Sequence, residues 1–386
     1  MQRIIRSLLI VFMTLGLASC SLFSGDEEVV RKPKPLTEFK PDVELEKVWS
    51  KSIGEGDEGR YERLVPSISG DVIYAADAQG HVVALNRETG KEIWKKSLKF
   101  PIGGGITADY GMLLLGTLDG HVIALKEEDG SELWQARVSS EVISSPQTNG
   151  SVVVVQSIDD TITALDAQTG KELWHQENLQ PALTLRGSST PRMEGEAVFV
   201  GLSNGEAKAF RITDGGPLWN SRVAIPEGSS ELERMVDIKA QPLIVGNNLF
   251  MVSFQGNAAA LDMYSGRVLW SRELSSYKSI AEGFGSLYLT DDSSYVSSLD
   301  QRSGAVSWRQ DKLEYRLLTA PATYSSYLAV GDLEGYVHLL SQVDGGIAGR
   351  FKVGSSAIKA PPVVSGDFLY VLSADGTLTA LRQKST

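Results

Sequence analysis

The chain has 386 residues, with 37 basic and 48 acidic side chains and a formal net charge of −11 at pH 7. This acidic balance argues against nucleic acid as a partner. Cys20 is the only cysteine, so an internal disulfide framework is excluded. After the first twenty residues, no apolar stretch approaches the length of a transmembrane helix.

The first twenty residues have the pattern of an export signal. Arg3 and Arg6 precede an apolar run, and residues 17–20 are Leu-Ala-Ser-Cys. This resembles a bacterial lipoprotein signal with its lipobox, which implies cleavage after residue 19 and acylation of Cys20, palmitate being one such acyl group. Several acyl chains give stable membrane anchoring. The alternative is an ordinary secretory leader with an incidental cysteine.

A polar, proline-containing stretch follows the cysteine. We predict a signal peptide at 1–19 and a lipidated flexible tether at 20–41. Ser21 is not aspartate, which by analogy with enterobacterial lipoproteins favours sorting to the outer membrane. The expected location is therefore the periplasmic face of the outer membrane of a Gram-negative bacterium.

Seven tryptophans share one position in a repeated unit. They are Trp49, Trp94, Trp134, Trp174, Trp219, Trp270 and Trp308. The last six each follow a glycine by four residues, as in ALDAQTGKELW at 164–174. A further copy at 339–349 keeps Gly345 but has Gly349 in place of tryptophan, and this indicates a degenerate repeat.

The repeat contains four predicted strands. A glycine, or Asp160 or Ser294, lies ten residues before each turn glycine, and the segment between them alternates apolar and small residues, as a strand does. The turn glycine predicts a tight hairpin into the tryptophan strand. A continuous apolar run and a weaker stretch, often beginning at proline, precede this pair. Four strands in roughly 40 residues are typical of a β-propeller.

The number of repeats predicts an all-β, eight-bladed propeller of four-stranded antiparallel blades at residues 42–386. Eight markers occur, but after the last, Gly376, no tryptophan strand remains. The segment at 45–53 contains Trp49 without a turn of its own. We therefore expect this N-terminal strand to join the C-terminal blade and close the ring, which removes an open edge.

The repeated tryptophan has a structural and a functional interpretation. A large ring between adjacent sheets excludes water and locks one blade to the next. A tryptophan could also line a cofactor site. Because a copy occurs in nearly every blade, the inter-blade packing role is favoured.

The same repeat resembles the tryptophan-docking motif of eight-bladed quinoprotein dehydrogenases, which use pyrroloquinoline quinone and calcium. This resemblance indicates a fold rather than an activity. Many of those enzymes have an adjacent cysteine pair, which this chain cannot form. No metal-ligand spacing or nucleophile motif occurs among its four histidines and serines. We expect no catalytic residues, no metal and no cofactor.

A lipid-anchored propeller of this size resembles the BamB-type lipoprotein subunit of the outer-membrane β-barrel assembly machinery, over nearly the whole chain. The resemblance includes the CSLF start at 20–23, the repeats, and the stretches LTLRGSSTP at 183–191 and GSSELERMVDI at 228–238. It implies a non-catalytic scaffold that binds the periplasmic domains of the central barrel-inserting subunit and aids the assembly and insertion of barrel proteins.

Two insertions interrupt the repeat. The interval from Trp174 to Trp219 is 45 residues and that from Trp219 to Trp270 is 51, against 40 for the two preceding intervals. Loops on a rigid scaffold commonly bind partners. Ser230 and Glu233 have capping-box spacing, which predicts one helical turn.

In the BamB-type family these connections contact the central subunit. Carried over by motif, the contacts would be Leu183, Leu185, Arg186 and Asp237. Lys239 stands where the family often has a second acidic residue. The alternative for the two leucines is packing beneath a loop, whereas arginine is favoured at interface hot spots.

The hypothesis is scaffolding, with unfolded outer-membrane precursors held by strand addition to an exposed blade edge. Two alternatives remain. One is a periplasmic oxidoreductase dependent on pyrroloquinoline quinone; the other is a propeller receptor for a cell-wall or small-molecule ligand.

Overall fold

The computed structural model describes residues 31–57, 59 and 64–384. Within them, 32 strands form eight separate four-stranded antiparallel sheets, which are the blades of a ring. The propeller belongs to the unit that spans Lys34–Thr386. The predicted signal peptide and Cys20 lie outside the described residues. The prediction of an eight-bladed, all-β propeller is confirmed.

Blades 1 to 4 each consist of consecutive strands, innermost first. Blade 1 is β2 (Ser67–Ser69), β3 (Val72–Ala76), β4 (His81–Asn86) and β5 (Glu92–Ser97). Blade 2 is β6 (Thr107–Asp109), β7 (Met112–Gly116), β8 (His121–Lys126) and β9 (Glu132–Arg137). Blade 3 is β10 (Gln147–Thr148), β11 (Val152–Gln156), β12 (Ile162–Asp166) and β13 (Glu172–Gln176). Blade 4 is β14 (Arg192–Glu194), β15 (Ala197–Gly201), β16 (Glu206–Arg211) and β17 (Pro217–Arg222).

Blades 5 to 7 continue the pattern, and blade 8 departs from it. Blade 5 is β18 (Leu243–Val245), β19 (Asn248–Val252), β20 (Asn257–Asp262) and β21 (Val268–Glu273). Blade 6 is β22 (Ala281–Gly283), β23 (Ser286–Thr290), β24 (Val296–Asp300) and β25 (Val306–Gln310). Blade 7 is β26 (Ala322–Tyr324), β27 (Tyr327–Gly331), β28 (Tyr336–Ser341) and β29 (Ile347–Lys352). Blade 8 is β30 (Val363–Ser365), β31 (Phe368–Leu372), β32 (Thr377–Gln383) and β1 (Leu45–Ser52).

The N-terminal strand closes the ring as the sequence predicts. β1 pairs antiparallel with β32, from Leu45 opposite Gln383 to Ser52 opposite Thr377, with a bulge just before Trp49. The fourth strands of the other seven blades carry a bulge at the same place. β1 is therefore equivalent to the outer strand of every other blade.

Short connections are set by residues that tolerate unusual backbone angles. The seven turn glycines before the outer strands, Gly90 among them, have φ of 67 to 73°, in the left-handed region that favours glycine. Asp160 and Ser294 replace glycine at the marker position and adopt φ of 60° and 67°. Prolines directly precede six of the inner strands, where their missing N–H costs no ladder bond.

The core lies between adjacent blades rather than within one. The middle strands are almost wholly buried; β7 and β11 are buried at all five positions. One cluster joins Leu114 and Val122 of blade 2 to Val153 and Leu165 of blade 3. A twisted sheet cannot bury its own faces, so each blade depends on its neighbours.

Every tryptophan bridges two blades in the same way. Trp134 is 7 % exposed, its indole N–H donates to Ala167 O at 2.8 Å, and its ring lies against the turn Gly170 of the next blade. The other six rings lie on the turn glycines Gly90, Gly130, Gly215, Gly266, Gly304 and Gly345 and donate to a carbonyl in the same hairpin. A Cβ on any of these glycines would collide with the ring.

The segment before β1 contacts the propeller inside the range predicted to be a tether. Lys34 N donates to Glu314 O at 2.9 Å, and Asp42 N donates to Ala348 O at 2.8 Å. Leu36 packs against the core between blades 6 and 7. Lys34 and Leu36 therefore contact the propeller although they lie within the stretch assigned to the tether from composition.

Candidate binding face

One face of the ring carries the two long insertions. Since strands alternate in direction, all connections from an outer strand to the next inner strand leave on the same face, together with the turns between second and third strands. The longest of those that join described strands are residues 177–191, between blades 3 and 4, and residues 223–242, between blades 4 and 5. We call this side the connection face.

The first insertion presents most of the predicted contact residues. Leu183 is 42 % exposed, Arg186 is exposed, and Leu185 is partly buried. The Leu185 N–H donates to Asp237 Oδ1 at 3.0 Å, which ties this insertion to the second one. Arg186 lies close enough to Glu141 to help lower the pKa of that carboxyl, although the hydrogen bond from Ser140 is the larger cause.

The second insertion contains a single capped turn. Glu233 N donates to Ser230 Oγ at 3.3 Å, and Ser230 N donates back to Glu233 Oε2 at 3.1 Å. Arg234 N donates to Ser230 O at 3.1 Å, which completes one helical turn. Hydrogen bonds from backbone N–H groups, first that of Ser229, lower the pKa of Glu233. The turn predicted from the capping-box spacing is present, and it holds Leu232 61 % exposed.

Asp237 differs from its expected role as a surface contact. It is fully buried, because the segment around it enters the core: Val236 and Ile238 are each 1 % exposed, and Ile238 N donates to Leu202 O. Burial raises the pKa of Asp237, despite Lys239 Nζ 3.1 Å from Oδ1. Asp237 therefore positions Leu185 from below and does not form part of the exposed surface.

Lys239 completes this internal support. Its side chain is 7 % exposed, and Nζ donates to Ser203 Oγ at 2.7 Å in addition to its pairing with Asp237. A buried carboxylate is tolerated when it is paired and hydrogen-bonded. The lysine at this position thus neutralises Asp237 inside the protein instead of offering charge to a partner.

Apolar side chains that the sequence analysis did not select also lie on the two insertions. Leu179 is 90 % exposed and Ile225 is 65 % exposed. Neither occurs in a repeat or a motif, so no sequence signal marked them. With Leu183 and Leu232 they place four exposed large apolar residues on two connections that are hydrogen-bonded to each other.

The histidines belong to internal hydrogen bonds of their own blades. His81 Nδ1 lies 2.7 Å from Asp77 Oδ2, and His338 Nε2 lies 3.0 Å from Asp332 Oδ2. No group of three or more His, Cys, Asp or Glu side chains suited to a metal ion occurs in the part of the chain that the structure covers. Nor does any helix there have the length and apolarity needed to cross a membrane.

Comparison with known proteins decides the family. The family model described as "Outer membrane protein assembly factor BamB" matches residues 44–122, 78–310 and 292–386. The chain belongs to the BamB family. The BamB of Pseudomonas aeruginosa is 55 % identical over 368 residues, covering 95 % of this chain and 96 % of that protein. The role of the chain is therefore in outer membrane protein assembly.

Solved structures agree with the fold. The crystal structure of BamB from Moraxella catarrhalis superposes with a TM-score of 0.81 at 28 % identity, covering 88 % of this chain and 99 % of that one. A quinohemoprotein alcohol dehydrogenase from Comamonas testosteroni gives a TM-score of 0.69 at 13 % identity, covering 88 % of this chain and 76 % of that one. The second similarity shows the propeller fold alone.

Proposed function

We propose that this BamB-family chain is a non-catalytic scaffold that docks onto the periplasmic domains of the central barrel-inserting subunit. It is held at the periplasmic face of the outer membrane by acyl chains on Cys20. The names of its relatives, which are assembly factors, support a role without catalysis. No cofactor or metal is part of the proposal.

The observation that carries the proposal is the pair of insertions joined by the Leu185–Asp237 hydrogen bond at 3.0 Å. They extend an otherwise regular repeat and display Leu183 and Arg186 on a rigid base. Clusters of exposed apolar residues on a soluble surface mark interaction sites. Arginine adds a directional, charged donor at such sites.

Replacing Arg186 with glutamate tests this surface. We expect the variant to lose most of its co-purification with the central subunit from solubilised outer membranes, because a cationic donor is replaced by an anionic acceptor. Arg302→Glu is the matched control, since it makes the same charge change on an exposed hairpin of the opposite face. Circular dichroism and thermal unfolding should be unchanged in both.

Two results would count against the docking surface. If Arg186→Glu lowers the unfolding temperature, Arg186 is a structural residue. If both variants retain the central subunit equally well, the connection face does not bind it.

Unfolded precursors are the second proposed partner, bound at the outer blade edges. The bulged residue before the tryptophan is exposed and apolar in several blades: Ile93 is 51 %, Leu173 is 47 % and Leu218 is 45 % exposed. An extended chain could add to such an edge through main-chain hydrogen bonds. Photo-cross-linking from position 93 should capture precursor chains, whereas a cross-linker at position 302 should not; equal capture would contradict edge binding.

A further inference from the structure

Residues 34–43, here called the strap, bind along blade 7 before the chain enters β1. At the first end, Lys34 Nζ lies 3.1 Å from Glu314 Oε2 and donates to Asp311 O at 3.1 Å. At the other end, Asp42 N and Val43 N both donate to Ala348 O, at 2.8 and 3.2 Å. Because Lys34 N also donates to Glu314 O at 2.9 Å, main-chain hydrogen bonds fix the strap at both ends.

Two arginines, one in blade 7 and one in the connection that precedes it, donate to main-chain carbonyls of the strap. Arg316 Nη1 donates to Lys34 O at 3.0 Å, and Arg350 Nη1 donates to Thr37 O at 3.1 Å. The Arg350 guanidinium also lies over the Phe39 ring, 5.0 Å from its centroid. Such a cation–π contact adds to the hydrogen bond.

Both arginines are themselves fixed from beneath. The Arg316 side chain is 3 % exposed, and its Nε donates to the buried Asp332 Oδ2 at 2.8 Å. Arg350 Nε donates to His338 Nδ1 at 3.2 Å, so His338 carries its proton on Nε2 and donates it to Asp332. Arg316 and Arg350 are therefore positioned by hydrogen bonds to Asp332 and His338 that do not involve the strap.

The direction of the strap follows from these contacts. Asp311 and Glu314 belong to the connection between blades 6 and 7, which lies on the connection face. Ala348 lies at the start of β29, directly after the hairpin between β28 and β29, which is on the opposite face of the ring. The strap therefore crosses the outside of blade 7, and its first residue, Lys34, lies at the connection face.

We propose that the strap orients the propeller on a membrane, holding the connection face toward the lipid surface. This rests on the proposed attachment at Cys20, which is 14 residues before Lys34. A chain of that length spans at most about 50 Å when fully extended. Without the strap, the exit point would move to β1 and ten more residues would separate the anchor from the ring.

The test uses the chain from residue 21 onward, which contains every described residue. A hexahistidine tag ahead of residue 21 attaches it to vesicles of phosphatidylcholine with nickel-chelating and quencher-bearing lipids, so acylation and the central subunit are not involved. Cys20 is absent, so one introduced cysteine carries a fluorophore, at Leu183 on the connection face or at Gln168 on the hairpin face. We expect quenching at position 183 to exceed that at 168 by at least twofold.

Leu36→Ser/Phe39→Ala releases the strap, since these two side chains face blade 7. The difference in quenching between positions 183 and 168 should then fall by at least half. The Lys34, Asp42 and Val43 amides should also lose protection from hydrogen exchange. The matched control is Thr37→Ala/Lys40→Ala, which changes exposed side chains of the same segment and should keep both signals. Thermal unfolding checks that each variant retains the propeller.

Three outcomes would overturn the proposal. The first is equal quenching at positions 183 and 168 in the unsubstituted chain. The second is an unchanged difference in quenching between the two positions after the strap amides have become exchangeable. The third is strap amides that stay protected from exchange in Leu36→Ser/Phe39→Ala. None of them bears on Arg186 and the central subunit, so the docking proposal stands or falls separately.

Discussion

Val43 lies against Gly349, at the position where the other seven blades carry a tryptophan. A Cβ on Gly349 would be 2.7 Å from Val43 O and 3.1 Å from Val43 Cγ1. Elsewhere the ring packs on the hairpin of the next blade, but blade 8 has no such hairpin because its outer strand is β1. The incoming chain occupies the space instead, so glycine at 349 is a requirement of ring closure and not a decayed repeat.

Gly349→Trp should therefore be destabilising, although it restores the repeat consensus. The ring would displace Val43 and strain the start of β1; overpacking of this kind typically costs about 1–3 kcal/mol. Chemical unfolding gives the change in free energy, and hydrogen exchange should rise at Asp42 and Val43. Gly354→Ala is the control, since no heavy atom lies within 4 Å of the added Cβ. A variant as stable as the parent would contradict this account.

Trp134→Ala should lower the free energy of unfolding by roughly 3–5 kcal/mol, as expected for truncation of a buried aromatic side chain. It removes a ring that is 7 % exposed and leaves Ala167 O without its donor. Leu133→Ala, at a 40 % exposed neighbour on the same strand, should change stability much less. Similar losses for the two variants would show that the rings do not lock the blades.

Asp237 should act on partner binding through the position of Leu185. Asp237→Ala removes the acceptor for Leu185 N–H and leaves the buried Lys239 without its carboxylate, so both stability and co-purification of the central subunit should fall. Asp237→Asn keeps an acceptor for Leu185, and we expect it to retain more binding than the alanine variant. Equal loss of binding in both, with unchanged hydrogen exchange at residues 183–186, would instead indicate direct contact by the carboxylate.

Blade 7 should make the protein sensitive to acid. Hydrogen bonds from His338, Tyr336 and Arg316 outweigh burial and lower the pKa of Asp332 from 3.8 to about 2. The unfolded chain therefore binds the proton first, so the stabilisation from Asp332 is complete above about pH 4 and is lost as the pH falls toward 2. Burial lowers the pKa of His338 from its usual value of 6.5. The contribution of the neutral imidazole to the free energy of unfolding is therefore complete above about pH 6.5 and decreases as the pH falls further.

Urea unfolding between pH 7 and pH 2 measures this effect. The free energy of unfolding should decrease as the pH falls, and Asp332→Asn should start lower at pH 7 and lose less between pH 4 and pH 2. His338→Gln should likewise lose less below pH 6.5. Parallel curves for the parent and both variants would contradict the assignment to blade 7.

The sequence predicts the ring because its signals are local. Each hairpin glycine and each tryptophan sits at a fixed spacing, and the unpaired segment around Trp49 indicates closure by β1. The strap has no such signal: Lys34, Leu36 and Phe39 follow neither a strand nor a helix period, and prolines at 33 and 35 resemble a linker. Only the three-dimensional structure shows why they bind, because their partners Arg316 and Arg350 are 282 and 313 positions away in the sequence.

The sequence predicts only some features of the proposed binding face. The lengths of the insertions identify the two connections that differ from the repeat. The capping-box spacing predicts the single turn in the second of them. Asp237 is buried because the residues that follow it enter the core beside Leu202. No short sequence pattern predicts this. Leu179 and Ile225 are apolar residues in irregular segments, and exposure of such residues is visible only in three dimensions.

Ring closure by β1 also sets an order of assembly. Blades 1 to 7 each come from one contiguous stretch and can fold as they emerge, whereas Leu45 must wait for Gln383, on the far side of all seven. Until then β1 is an unpaired strand next to blades that have already folded. Long-range pairing of this kind is slow, and a chain with an unpaired strand is prone to aggregation. A chaperone that shields β1 until β32 has formed would therefore matter more to this protein than one that acts on the later strands.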